Sequence, residues 1–185
     1  MATPTPVAPH RERWTPAAWI AATILLLLPA IAMSLGTDGV TWTPSDFVVA
    51  GVMLYGACAL YEVARRMSSD RWYRAGAGVA VLSSLLLVWV NLAVGIIDSE
   101  RDAANLVFAG VLAIGAIGAA VVRLRAGGMA TVLLLAATAQ AGAAVYAGIA
   151  GHDGKDLAAA GLFVPMFLAS AWLFRRAAAS TVARR

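Results

Sequence analysis

Residues 46–66 read DFVVAGVMLYGACALYEVARR, an apolar run that opens on an acid and closes on two arginines. Two later stretches also run from a polar residue to a pair of arginines: residues 105–125, NLVFAGVLAIGAIGAAVVRLR, which opens on asparagine, and residues 156–176, DLAAAGLFVPMFLASAWLFRR. In each, the polar opener precedes the first arginine by 18 or 19 residues, which corresponds to roughly 27–29 Å of helix. Because this length matches the hydrocarbon core of a bilayer, each stretch is predicted to be a membrane-spanning helix.

The composition of the whole chain also indicates a membrane protein. The 185 residues are 61% hydrophobic and 13% charged, against about 25% charged in soluble domains. Polar backbone groups find no water in lipid, so the spans must be helices or barrel strands, and barrel strands are shorter and alternate. The expected fold is therefore an all-α bundle of six transmembrane helices, with spans at about residues 17–35, 46–64, 75–97, 104–122, 129–150 and 157–174.

Similarity among the spans predicts an internal repeat. Arg13-Trp14 precedes the first span and Arg71-Trp72 precedes the third, 58 residues later. With the three apolar stretches, this spacing predicts three similar helical hairpins, although alanine, glycine and leucine are common enough here for partial matches to arise by chance. The predicted organisation is a disordered cytoplasmic tail at 1–12, a six-helix domain at 13–176 and a short basic tail at 177–185.

The first span has features of a secretory signal peptide. Its Leu25–Leu28 run follows basic residues, and Ala30-Ile31-Ala32 has the small-residue pattern of a cleavage site. The apolar run is long for a signal core, and the first hairpin needs it as a partner. We therefore interpret it as a retained helix.

Lysine and arginine are distributed unevenly between the two sides of the predicted spans. Segments on alternate sides hold 12 and 2 positive charges, and the two are Arg101 and Lys155. The positive-inside rule then places both termini in the cytoplasm. The arginines cluster at helix ends, so the basic charge balance reflects topology and does not indicate nucleic-acid binding.

Four residues inside the predicted spans are candidates for function. Asn91 and Gln140 carry amides that must find partners in lipid, either on another helix or, for Asn91, on a ligand or ion. Glu62 marks a proton or cation path, or pairs with the arginines three and four residues later. Trp89 lies about two turns inside the third span, whereas the other tryptophans lie near the predicted interfaces.

Three glycines are candidates for helix packing. Gly51, Gly110 and Gly161 each lie five residues after the polar opener of their stretch. Glycine lowers helix propensity, so its recurrence at one depth predicts close contact between helices. Each of the three is expected to face the backbone of a neighbouring helix.

Several classes of activity lack the residues that they need. The histidines are His10 in the tail and His152 in a predicted loop, so no pair can hold a haem within the helices. The single cysteine, Cys58, excludes an intrachain disulfide and a thiolate cluster. Protease, P-loop and dinucleotide-binding motifs are absent. No catalytic residue, cofactor or metal site is predicted, and we do not expect an enzyme.

Two acidic segments in predicted outer loops are a candidate site for a divalent cation. Residues 98–102 and 152–156 carry the oxygen ligands that Ca²⁺ or Mg²⁺ prefers, but their spacing matches no EF-hand. Acidic charge near the amino-terminal ends of helices explains these residues as well.

The run WVNLAVGIIDSE at residues 89–100, followed by Ala104 and Asn105, resembles a segment of uncharacterised bacterial integral membrane proteins. The resemblance covers roughly residues 40–130. It implies a multi-pass protein of the bacterial inner (plasma) membrane. It carries no known activity, so no functional residue follows from it.

The leading interpretation is a non-catalytic membrane protein, an accessory subunit or scaffold. Its partners would be the lipid bilayer and other membrane subunits or a second copy of the chain. The alternative is a transporter or channel for a small solute or ion, working as an oligomer. A transporter needs polar residues that converge on the bundle axis. A cavity shared by Asn91, Glu62, Gln140 and Tyr146 would favour transport, and separate contacts would favour the first interpretation.

Overall fold

The structure is a computed structural model that describes residues 15–93, 106–149 and 154–182. These residues form six α-helices, in agreement with the all-α prediction. Their bounds are α1 Thr15–Ser34, α2 Pro44–Met67, α3 Arg71–Ala93, α4 Leu106–Val121, α5 Ala126–Ile149 and α6 Gly154–Val182. The tail at 1–12 and the acidic segment at 98–102 lie outside the described residues.

Five of these helices are long and apolar enough to cross a membrane, and α4 is a shorter apolar helix of 16 residues. By length and composition the chain is therefore a multi-pass helical membrane protein. The predicted fourth span began at residue 104, which lies outside the described part of the chain.

Several helices extend beyond the apolar spans predicted from hydropathy. The helix α3 begins at Arg71, and α6 continues through Arg175 and Arg176 to Val182. Residues 177–182, which were predicted to belong to a basic tail, are therefore helical. Hydropathy marks where a helix leaves the apolar layer, whereas backbone hydrogen bonding continues through the charged and aromatic residues of the interface.

Two helix starts are capped by side chains. The Thr43 backbone N–H donates to Asp46 Oδ2 at 2.7 Å, and the Thr43 hydroxyl donates to the same oxygen at 2.8 Å. This arrangement places Pro44 at the first helical position, as the sequence predicts. At the start of α3, Asp70 Oδ1 accepts hydrogen bonds from the backbone N–H groups of Trp72 and Tyr73, at 2.7 and 3.1 Å.

The chain divides into two units, and the boundary follows Cys58 within α2. In the first unit, α1 lies along the amino-terminal part of α2. The Thr23 and Tyr55 hydroxyls are hydrogen-bonded at 3.0 Å, and the Trp19 ring stacks on Tyr55 at 5.9 Å between centroids. The Cys58 thiol donates to the Ala18 carbonyl at 3.6 Å. These contacts form the first predicted hairpin.

In the second unit, α5 packs on both α4 and α6, and α6 also packs on α3. The largest fully buried apolar side chains are Phe108, Phe163, Phe174 and Leu87, and alanines of α5 fill the space between them. The hairpin α5–α6 agrees with the predicted third pair. The main neighbour of α3 is α6 and not α4, its predicted partner, because aromatic and serine side chains join α3 to α6.

Candidate functional site

Glu62 lies near the carboxyl end of α2 and forms an ion pair. Its Oε1 accepts a hydrogen bond from Arg66 Nε at 3.2 Å, the i, i+4 partner that the sequence predicts. The Arg66 side chain is 77% exposed and that of Glu62 is 24% exposed. Within the described residues, Glu62 Oε2 is buried and has no hydrogen-bond partner. An ion pair with one exposed member contributes little to stability.

Gln140 is fully buried in α5 and bonds to α6. Its Nε2 donates to the Ala160 carbonyl at 2.8 Å, so the amide joins the two helices. Among the described residues its Oε1 has no hydrogen-bond partner. One half of the amide therefore serves the interhelical role that the sequence predicts, and the other half is an unused acceptor in an apolar core.

Sequence reasoning overlooked two buried serines. The Ser170 hydroxyl, fully buried in α6, donates to the Gly76 carbonyl of α3 at 2.7 Å. The Ser83 hydroxyl, equally buried in α3, donates to the Val79 carbonyl one turn earlier at 2.6 Å. A sequence signal existed for Ser170, because it lies at helical spacing with the buried Phe163, Phe167, Phe174 and Ala177.

Asn91 and Trp89 lie in the last turns of α3. Asn91 is half-buried, and Trp89 is 37% exposed. Gly78, on the same helix, lies beside the Tyr61 ring, so Glu62 is near the beginning of α3. Asn91 is about 20 Å further along the helix at 1.5 Å per residue.

The predicted polar candidates therefore do not share one cavity. Glu62 and Asn91 lie at different depths, and Gln140 is bonded within the α5–α6 interface. Tyr146 is 53% exposed. In the described part of the chain Glu62 and Gln140 make separate contacts, to Arg66 and to the Ala160 carbonyl.

Asn91→Leu is expected to lower the free energy of unfolding by about 0.5–2 kcal/mol, the range for an interhelical hydrogen bond in lipid. Unfolding of the purified protein in mixed micelles measures this change. Leu92→Ala is the matched control, because Leu92 is 56% exposed on the same turn and its loss should cost less. Unchanged stability of Asn91→Leu would contradict the packing role and favour a ligand contact.

The three glycines predicted to pack do not behave alike. Gly51 is buried, and a methyl group there would lie 3.6 Å from Leu26 Cδ2 in α1. A methyl group at Gly110 or Gly161 would meet no atom of the described residues within 4 Å. Within this part of the chain, the close approach expected at Gly110 and Gly161 is therefore absent.

Other glycines occupy the close helix contacts. A methyl group at Gly118 of α4 would lie 2.6 Å from Val132 Cγ1 in α5, and one at Gly76 would lie 3.0 Å from Phe174 Cδ2 in α6. Real Cβ atoms do not approach other atoms as closely as at Gly118, so only glycine fits there without movement. Gly76 and Gly118 therefore permit the close helix approach that was expected at Gly110 and Gly161.

One end of the α3–α6 pair gathers tryptophan and arginine side chains. The Trp72 and Trp172 rings meet edge to face, 5.9 Å apart at an interplanar angle of 82°. Beside them, the Tyr73 hydroxyl donates to the Leu124 carbonyl in the α4–α5 turn at 2.8 Å. In the sequence the Arg71-Trp72 pair marks the predicted repeat, but the contact of Trp72 with Trp172 depends on tertiary packing.

No family model matches the chain, and no curated protein or solved structure matches it. The resemblance of residues 89–100 to bacterial membrane proteins thus has no family match behind it, and residues 94–100 lie outside the described part. The helices support the general class of multi-pass helical membrane proteins.

Proposed function

We propose that this protein is a non-catalytic integral membrane protein, an accessory subunit or scaffold. The proposal is supported by the hydrogen bonds of the protein's buried polar side chains. In the described residues, Ser83, Gln140 and Ser170 are the fully buried polar side chains, and each donates to a helix carbonyl. The Gln140 and Ser170 bonds join α5 to α6 and α6 to α3, and the Ser83 bond stays within α3. These groups therefore serve helix structure and packing and do not line a path for a solute. The lack of catalytic motifs in the sequence supports the non-enzymatic part of the proposal.

The exposed surface offers room for protein partners as well as lipid. Large apolar side chains on α1, α2 and α4, among them Leu28, Val52 and Ile117, are more than half exposed. An exposed apolar surface on a membrane helix is solvated by lipid or covered by another helix. An accessory subunit would cover part of this surface with its partner.

The proposal is tested by site-specific photo-crosslinking in native membranes, followed by mass spectrometry. A photoreactive side chain replaces Val52, Ile117 or Leu135, which are all exposed. A discrete protein adduct at one of these positions is expected. Leu87, which is fully buried, is the matched control and should give no adduct between chains. Adducts with lipid alone at every exposed position would argue against a subunit or scaffold.

The proposed topology has six spans, with α4 as the fourth, and both termini in the cytoplasm of a bacterial inner membrane. The split of 12 and 2 positive charges supports this orientation. The three similar sequence units belong to the same proposal, since each would enter the membrane from the same side.

Alkaline phosphatase fusions test this topology. Fusions within residues 36–45, 98–103 and 151–156 are expected to be active, because the enzyme matures only outside the cytoplasm. A fusion after Arg185 is expected to be inactive. A fusion in the loop after Met67 serves as a second cytoplasmic control. Activity at the carboxyl terminus would contradict the six-span arrangement.

Transport of a small solute or ion is the second candidate function, and one observation favours it. Gln140 Oε1 is a buried acceptor without a partner among the described residues. An acceptor of this kind is able to bind a cation or a donor group of a solute. Flux into proteoliposomes would test this candidate, and Gln140→Leu should abolish the flux while the protein stays folded.

A further inference from the structure

The arginine and tryptophan side chains at one end of the α3–α6 pair form a continuous group, here called the Arg–Trp cluster: Arg71, Trp72, Trp172 and Arg176. The Arg71 guanidinium lies over the Trp72 ring at 5.0 Å from its centroid, and the Arg176 guanidinium lies over Trp172 at 4.9 Å. Since the two rings are in contact, each arginine lies over one ring of a joined aromatic pair. A cation–π contact at an exposed site attracts each arginine to its ring by about 0.5–1 kcal/mol.

Neither arginine of the cluster is neutralised by a carboxylate in the described part of the chain. The nearest acid in sequence, Asp70, is engaged elsewhere. Its Oδ1 caps α3, and its Oδ2 accepts a hydrogen bond from the Ser180 hydroxyl at 2.7 Å. Arg71 and Arg176 are both exposed, so their N–H groups remain available to an anion that approaches along the tryptophans.

The surface next to the cluster changes from charged to apolar along one face of α6. Leu168, Trp172 and Arg176 are spaced four residues apart and therefore lie one above another. Leu168 is 44% exposed and Trp172 is 48% exposed. A phosphate held by the arginines would thus have an apolar strip directly beneath it. The surface is charged at the arginines, aromatic at the tryptophans and apolar at Leu168. This order matches the headgroup, glycerol region and acyl chain of a phospholipid better than it matches a free phosphate.

We propose that the Arg–Trp cluster is a binding site for an anionic phospholipid. The guanidinium groups of Arg71 and Arg176 bind the headgroup phosphate. The Trp72–Trp172 pair supports the glycerol region, and an acyl chain lies along the exposed face of α6 at Leu168. The site joins the first turn of α3 to the last turns of α6, so a bound lipid links the two helix ends. The proposal needs only the membrane location of the chain and is independent of its proposed role as a subunit.

The test measures lipid retention by the full-length protein in detergent. Native mass spectrometry follows the binding of added phosphatidylglycerol and of phosphatidylcholine with the same acyl chains. We expect phosphatidylglycerol to bind more tightly, and the double variant Arg71→Gln, Arg176→Gln to weaken its binding by about tenfold or more. Phosphatidylcholine binding should change much less, because its headgroup has no net charge.

The matched control is the double variant Arg123→Gln, Arg125→Gln, which removes two exposed arginines from the α4–α5 turn. It changes the net charge equally and should retain phosphatidylglycerol. Equal losses in the two double variants would overturn the proposal, because general attraction would then explain the binding. Equal affinity of the wild type for the two lipids would also overturn it.

Two further measurements cover the remaining outcomes. If the first double variant does not fold, Arg176→Gln alone replaces it, since this side chain is exposed and is not part of the buried core. Unaltered phosphatidylglycerol binding by this variant would overturn the proposal. Inorganic phosphate at millimolar concentration is added as a competitor. Displacement of the lipid by phosphate would show that the site binds the anion alone, against the proposed lipid.

Discussion

Replacing Gly118 with leucine is expected to lower the free energy of unfolding by about 1–3 kcal/mol, the usual cost of overpacking a close contact. A Cβ at this position would lie 2.6 and 2.8 Å from the two methyl carbons of Val132. Val132 is only 5% exposed and is β-branched, so its side chain has little freedom to move aside. The helices α4 and α5 must therefore separate, and the loss is measured by unfolding in mixed micelles.

Gly110→Leu provides the comparison on the same helix. Gly110 is exposed, and no described atom lies within 4 Å of a Cβ built there. Its replacement should not lower the free energy of unfolding, because leucine has a higher helix propensity than glycine. If Gly110→Leu were as damaging as Gly118→Leu, Gly110 would be in close contact after all, with another copy of the chain. Equal tolerance of both would contradict the α4–α5 packing.

Replacing Phe174 with alanine is expected to lower the free energy of unfolding by about 2–4 kcal/mol, mostly through lost packing contacts. Phe174 is 1% exposed, and its ring meets Tyr73 edge to face at 5.0 Å. It also fills the space above Gly76, so its removal leaves a cavity between α3 and α6. Thermal unfolding in detergent would measure the change.

Leu168→Ala is the control for Phe174→Ala. Leu168 lies on the same helix, is 44% exposed, and loses an apolar side chain to the same replacement. It should cost less than about 1 kcal/mol, because lipid fills the vacated space. Comparable losses at both positions would mean that α6 does not pack on α3 through the Phe174 face.

Local features of this chain were predictable because they depend on neighbours in sequence. The Thr43–Asp46 cap and the Glu62–Arg66 ion pair follow from spacings of three and four residues. The Asp70 cap has the same local origin, and the sequence pattern Asp-Arg-Trp-Tyr would have indicated it. Gln140 was placed correctly as an interhelical contact, but its partner Ala160 was not predictable.

The sequence by itself determined that this chain is helical and suited to a membrane, because long apolar stretches in lipid must satisfy their own backbone hydrogen bonds. The tertiary structure alone decided which helix faces meet. In a soluble protein the apolar face is the buried face, but in lipid both faces are apolar, and hydropathy does not distinguish them. Gly110 and Gly118 are therefore equivalent in the sequence, whereas in the structure a Cβ meets Val132 at Gly118 and no described atom at Gly110. The same reason applies to the pairing of α3 with α6, which joins Trp72 to Trp172 across distant parts of the chain.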